Sequence, residues 1–184
     1  MNSASDRTPD DGAQAVGFPQ PSLVALVGPI ASGKTTWAQA RFRSNEIVSL
    51  SHLQATVGRD EDDRQATKVA YELLERIVDV RLERGLTVVV DTDGLDEGRR
   101  SRWLAAAEAH GIASFAVLFS VDAETCLARD AARPNPRPAS IIRRQAARCG
   151  EIGPQLASAG FVVREVPKRR LPQPVSNRPP GDES

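Results

Sequence analysis

An unbroken apolar run, Leu23–Val27, ends at Gly28, and the chain then reads Gly28-Pro-Ile-Ala-Ser-Gly33-Lys34-Thr35. No other feature limits the possible folds as sharply. The string fits G-x-x-x-x-G-K-[ST] at every fixed position, between a predicted strand and a predicted helix. Its glycines let backbone N–H groups turn inward on phosphate oxygens, and the start of the helix adds partial positive charge. Lys34 supplies a cation for the terminal phosphates of a nucleotide, and the Thr35 hydroxyl a ligand for Mg²⁺. A bare strand-to-helix turn has no use for Lys-Thr at its helix entry.

Downstream, short apolar runs alternate with longer amphipathic ones. The patterning predicts helix over Thr35–Arg43 and a short strand at Ile47–Val48. A second helix, Arg64–Arg84, has Val69, Leu73, Ile77 and Val80 as its inward stripe and Gly85 as its left-handed cap. Thr87–Val90 is a strand ending at Asp91. The Ala-rich helix Arg99–His110 turns Trp103 and Leu104 inward, closes at Gly111, and precedes a strand at Ser114–Phe119. Asp122 caps a helix through Cys126 towards Ala132; Pro134, Pro136 and Pro138 break it, and Ala139–Cys149 resumes as helix. Gly150, Gly153 and Pro154 interrupt before a helical turn near Ala157, and Phe161–Val166 is the last strand. Strands without strict alternation, each followed by helix, imply a parallel sheet covered on both faces. With right-handed crossovers this is a three-layer α/β sandwich.

Residues 1–21 and 167–184 are small, polar and rich in proline, and are expected to be disordered tails. Between them, 22–166 is expected to form one domain that buries about 70% of its unfolded surface. The 24 Lys+Arg cancel the 24 Asp+Glu, which excludes a surface that clings throughout to nucleic acid or anionic membrane. A local basic patch remains compatible with that balance. Cys126 and Cys149 form no C-x-x-C and the only histidines are His52 and His110, so neither a disulfide scaffold nor a structural zinc site is expected. The longest apolar runs are far below the roughly 18 residues that span a bilayer. The N-terminal MNSASDRTPDDG lacks the charged-then-apolar order of a secretion signal, and a cytoplasmic protein without membrane attachment is expected.

Two further constellations fit a phosphate cradle. Asp91 stands at the carboxyl end of a predicted parallel strand, where open α/β sheets hold ligands, and can hold Mg²⁺ directly or through water. Its alternative role is to start the turn Asp91-Thr-Asp-Gly94. From Arg129 to Arg148 the chain carries six arginines and one acid, Asp130, with Arg129 and Arg133 one helical turn apart. A Pro-bounded, Arg-bearing segment over about 129–140 reads as a lid whose planar guanidinium groups close over charge developing on a phosphoryl group. The alternative is a solvated basic helix end.

At these residues the chain resembles the kinase domain of the polynucleotide 5′-hydroxyl kinases, within the wider group of small P-loop kinases. The resemblance spans Leu23 to Val166 and rests on GPIASGKT, VVVDTDG, Cys126-x-x-Arg129-x-x-x-Arg133-Pro and Ile141-Ile142-Arg143-Arg144-Gln145. It implies a P-loop NTPase fold of the small-kinase type with a five-stranded parallel sheet, using ATP and Mg²⁺. By the same resemblance ATP is held by Gly28, Pro29, Ala31, Ser32, Gly33, Lys34, Thr35 and Thr36, with Arg129 and Arg133 from the lid. Thr35 and Asp91 are the metal ligands it implies.

The departures fall on the acceptor side. In this group an Asp after the second strand takes the proton of the acceptor hydroxyl, and an Arg three residues later holds the acceptor phosphate. Here Ser51 and Gln54 stand at those places, and Gly94 where an Asn usually follows the strand-end Asp. A serine hydroxyl cannot accept a proton at neutral pH, which leaves His52 and Asp93 as candidates. His52 is offset by one residue in a strand-like stretch, where neighbours point opposite ways. The acidic run Arg59-Asp-Glu-Asp-Asp63 sits poorly with a polyanionic acceptor, though a solvated helix N-terminus explains it too. The expected activity is transfer of the ATP γ-phosphate to a hydroxyl acceptor, a nucleic-acid 5′ end or a small molecule. Lys34, Asp91, Arg133 and His52 are its expected catalytic set. The other reading is an ATP-binding or slowly NTP-hydrolysing module with no kinase activity on nucleic acid.

Overall fold

The computed structural model of the chain describes residues 17–166. The two stretches read as tails fall outside the described residues except for Gly17–Pro21. Five strands alternate with seven helices: β1 (Ser22–Val27), α1 (Lys34–Gln39), β2 (Ile47–Ser49), α2 (Leu50–Val57), α3 (Thr67–Glu83) and β3 (Val88–Asp91). They continue with α4 (Glu97–Ala109), β4 (Ala113–Phe119), α5 (Ala123–Asp130), α6 (Ala139–Glu151), α7 (Gly153–Ala159) and β5 (Val162–Val166). The sheet order is β2-β3-β1-β4-β5 and every pairing is parallel. This is the expected α/β fold with a five-stranded parallel sheet. β1 is central, with β3 and β4 on either side, so the loop leaving Val27 emerges where the strand order reverses and a crevice opens.

Alternate residues of the buried β1 feed two cores. Leu23, Ala25 and Val27 pack with Leu74, Val78 and Leu82 of α3, Trp103 of α4 and Leu156 of α7. Val24 and Leu26 face the other way, onto Ala38 of α1, Phe42, Phe115 and Phe119. Phe18, inside the stretch read as a lead-in, joins this second core, with its ring 5.1 Å from Phe115 and 6.2 Å from Trp37. The scarce aromatics are therefore concentrated on one face of the sheet.

The structure corrects three local readings. The first helix stops at Gln39 instead of Arg43, and Ser44–Glu46 forms a 3₁₀ turn before β2. The stretch read as strand-like beyond Val48 becomes α2 from Leu50 onward. α3 turns a different stripe inward: Ala70, Leu74, Val78 and Leu82 are buried, whereas Val69, Leu73 and Ile77 are 46%, 39% and 36% exposed. The expected stripe runs at intervals of four, four and three and the observed one at four throughout, and for most of their length the two lie one residue apart on the helix.

Among the described residues no helix is long and apolar enough to cross a membrane. Cys126 and Cys149 are buried free thiols, and burial pushes the Cys149 thiol up to about 11.

Candidate active site

The β1–α1 loop wraps the N-terminus of α1, with Gly33 at φ 97° and Ala31 at φ 61° in left-handed conformations. The Gly28, Ile30 and Ser32 N–H groups are taken by Asp93, Gln145 and Pro29, which leaves the first N–H groups of α1 for a phosphate. The Lys34 ammonium folds back over the loop, donating to the carbonyls of Gly28 (2.9 Å) and Pro29 (2.8 Å). Burial holds its pKa below the ordinary lysine range, against the opposing pull of Asp91 and Asp93. Gly28 and Pro29 thus serve Lys34 through their carbonyls and do not line the cleft, and proline has no N–H to give a phosphate. Ala31, Ser32, Gly33, Lys34, Thr35 and Thr36 do line it.

Thr35 Oγ1 donates to Asp91 Oδ2 at 2.8 Å. β3 delivers Asp91 in register with Ser49 of β2. Burial raises the Asp91 pKa, while the Thr35 hydroxyl, Lys34 and the Ser49 hydroxyl oppose the rise. A hydroxyl and a carboxylate, both hard oxygen donors, stand here at the phosphate end of the loop. That set fits Mg²⁺, which takes few protein ligands and completes its shell with water and phosphate. Among the described residues no group of three or more His, Cys, Asp or Glu side chains offers an all-protein metal cage.

The surrounding cleft encloses about 1210 Å³ and has two ends of different character. Phe18, Trp37, Phe119, Arg41 and Arg164 line one end, with Arg41 stacked 4.8 Å from the Trp37 ring centre. Ser51, Gln54, Arg64, Thr67, Tyr71 and Arg137 line the other. Arg129 reaches over the loop, its guanidinium 3.4 Å from the carbonyls of Ala31 and Ser32. Arg133 also lines the cleft, and its Nε lies 3.7 Å from Asp130 Oδ1. Both expected lid arginines therefore line the cleft and Arg129 meets the phosphate loop, whereas Arg143, Arg144 and Arg148 are exposed and do not line the cleft.

The acceptor-side residues are not where a strand would put them. On α2, Ser51 and Gln54 are three residues apart and share the cleft face, while His52 is exposed and does not line the cleft. The expectation that His52 joins the catalytic set is therefore not met; helical geometry turns it away. Gln54 Nε2 donates to Thr67 Oγ1 (2.9 Å) and weakly to the Asp63 carbonyl (3.4 Å), which fastens α2 to α3. Gly94 is no truncated asparagine site either. Its φ is +65°, and a Cβ there would stand 2.4 Å from the Leu26 carbonyl oxygen.

Sequence reasoning missed Tyr71, Arg137 and the placement of Gln145. Tyr71 projects from α3 into the cleft with Arg99 stacked 3.5 Å from its ring centre, and burial pushes its phenol up to about 12. Gln145 of α6 accepts from the Ile30 N–H (3.0 Å) and donates to Asp93 Oδ2 (3.2 Å). It pins the phosphate loop to the turn after β3. Gln145 closes the IIRRQ string, so a signal existed, but not one that showed its partners.

A parallel sheet with a Gly-Lys-Thr loop at its switch point and a carboxylate on the neighbouring strand defines a P-loop nucleotide-binding protein of the kinase-like type. Residues 23–152 match the sequence pattern of an AAA domain family, and the chain belongs to that family. No curated protein gives a significant sequence match. Among solved structures, a candidate kinase from Chloroflexus aurantiacus shares 16% identity, with a TM-score of 0.56 over 72% of this chain and 78% of that one. A chain of the AvrRxo1-ORF1:AvrRxo1-ORF2 complex shares 16% identity at a TM-score of 0.60, covering 79% of this chain and 54% of its own. A chain of the Pnkp1/Rnl/Hen1 RNA repair complex shares 19% at 0.55, covering 83% and 49%. The present chain thus spans about half the length of the latter two. At these identities the likeness is one of fold.

Proposed function

We propose that the protein transfers the γ-phosphate of ATP, in the presence of Mg²⁺, to the hydroxyl of an acceptor. The observation that carries this reading is the Thr35–Asp91 pair, 2.8 Å apart, beside Lys34 at the phosphate loop. A nucleotide site alone needs only one end of the cleft. This cleft continues past the loop to a second, polar end formed by α2 and α3, which gives a hydroxyl compound a place to meet the terminal phosphate. The aromatic end suits a nucleobase, since Trp37 and Phe18 offer ring surface with cationic neighbours.

Each residue has a distinct electrostatic task. Lys34 exchanges its bonds to the Gly28 and Pro29 carbonyls for phosphate oxygens. Arg129 lies over the loop and Arg133 lines the cleft beside it, where guanidinium groups stabilise charge that develops as the phosphoryl group moves. Thr35 and Asp91 hold Mg²⁺, which when bound neutralises charge on the phosphates and aligns them. Excluding water from this pocket strengthens every one of these interactions.

The test follows γ-labelled ATP with Mg²⁺, first alone, then with a 5′-hydroxyl oligonucleotide, then with uncharged polyhydroxyl compounds. Label that moves to an acceptor hydroxyl supports the reading. Tight ATP binding with no turnover under any of these conditions refutes it in favour of a binding module.

A further inference from the structure

The polar end of the cleft carries a contact that the ATP chemistry does not use. Arg137 lines this end, and its guanidinium pairs with Asp62 in the loop between α2 and α3. The two partners stand 75 positions apart in the chain, with sheet and helix between them, so the pair ties the lid segment to the acceptor-side loop. Both partners are held from behind. The Arg137 backbone N–H donates to Oδ2 of the buried Asp130 at 2.6 Å. The loop carrying Asp62 is fixed by the Asp63 carboxylate, which accepts from the Arg59 N–H (3.1 Å) and the Gln65 N–H (2.9 Å).

A guanidinium in this position is the natural holder of an acceptor phosphate. Planar Arg forks bind carboxylate and phosphate with the same geometry, so Asp62 competes directly with a substrate phosphate for Arg137. Asp62 competes from within the folded chain, where both partners are already held in place and the cost of bringing them together has been met. Two neighbours reinforce the effect. Gln54, which lines the same end as Arg64, is neutral and already bonded to Thr67. Asp60, Glu61 and Asp63 flank Asp62 and add repulsion against a polyanion.

We propose that Asp62 occupies Arg137 in place of an acceptor phosphate, so that the polar end of the cleft takes a compact hydroxyl compound without phosphate groups and is closed to a nucleic-acid 5′ end. This deepens the kinase reading and rests on it for the identity of the polar end. The strap itself can be measured without turnover.

The test uses the full chain with a non-hydrolysable ATP analogue and Mg²⁺, and a 5′-hydroxyl oligonucleotide labelled with a 3′ fluorophore. Anisotropy gives its affinity for wild type, Asp62→Asn, Arg137→Gln and the double variant, with Asp62→Ser as a second charge-free replacement. Asp62→Asn and Asp62→Ser should tighten binding by about tenfold, the scale of one charge-assisted contact. The slope of log affinity against log salt should steepen by about 0.7, as expected for one more phosphate contact on a single strand. The gain should vanish when Arg137→Gln is also present. Wild type binding the oligonucleotide as tightly as Asp62→Asn would overturn the proposal, as would an equal gain without Arg137. Failure of the kinase reading shows separately, as ATP binding without turnover.

Discussion

Replacing Gly94 by Asn restores the residue that related kinases place here, yet the structure requires the change to damage the protein. Two costs add. At φ +65° Asn tolerates the left-handed conformation better than most side chains, at a cost of up to about 1 kcal/mol relative to glycine. The Cβ also lands 2.4 Å from the Leu26 carbonyl oxygen and 2.9 Å from Val27 Cγ2, inside the central strand. Overpacking of this kind costs about 1–3 kcal/mol. Together they give about 1–4 kcal/mol, or a fall in Tm of roughly 2–16 °C for a domain of this size. Gly85 is the internal control, because its φ is +64° and nothing lies within 4 Å of its would-be Cβ. Gly85→Asn therefore bears only the conformational cost and should fall by no more than about 4 °C. Differential scanning calorimetry of the two variants isolates the steric part. The Gly28 N–H bonds to the Asp93 carbonyl at 3.0 Å, so the displaced turn should also weaken ATP binding in Gly94→Asn but not in Gly85→Asn. Equal melting temperatures for the two variants would refute the close approach of Gly94 to β1, and with it the account of why this turn carries no side chain.

Lys34→Ala should abolish measurable ATP·Mg²⁺ binding in titration calorimetry while retaining the wild-type circular dichroism spectrum, because Lys34 bonds only within the loop. Arg133→Ala should lower turnover by tenfold or more with ATP affinity changed far less, since a lid cation acts on charge that develops in the transition state. Asp91→Asn should alter the pH dependence of stability in a defined direction. Burial raises the Asp91 pKa, so the folded state binds this proton more tightly than the unfolded chain. Its stabilising share is full below the unfolded carboxylate pKa and is lost as pH rises through the higher folded value. Urea midpoints of wild type minus variant should therefore fall with rising pH across that window, and a flat or rising difference would contradict the assignment.

The phosphate loop, the strand-end Asp91 and the lid arginines were legible because each is a local pattern whose chemistry is fixed by a few adjacent residues. The α/β architecture was legible because buried parallel strands lack alternation. What failed did so for reasons that can be named. α2 was hidden because β2 runs straight into it, although Leu50, Leu53 and Val57 carry a helical spacing. The inward face of α3 was ambiguous because two apolar stripes lie side by side on the same helix. The partners of Gln145 and Arg137 could not be read at all. Ile30, Asp93 and Asp62 meet them only after the sheet has folded, and nothing local announces a contact made across the fold.

The central position of β1 governs the order of events during folding. Leu23 pairs with Val88 on one side and Ser22 with Ala113 on the other, so neither edge of this strand can be satisfied by a nearby segment. Such non-local closures are slow relative to helix formation, because the loop entropy is lost before the contacts reward it. The phosphate loop takes its shape from the end of β1 and from the turn after β3, and exists only once both have docked. Nucleotide should consequently act on the finished sheet, slowing unfolding by mass action on the native state and leaving the refolding rate unchanged in stopped-flow kinetics.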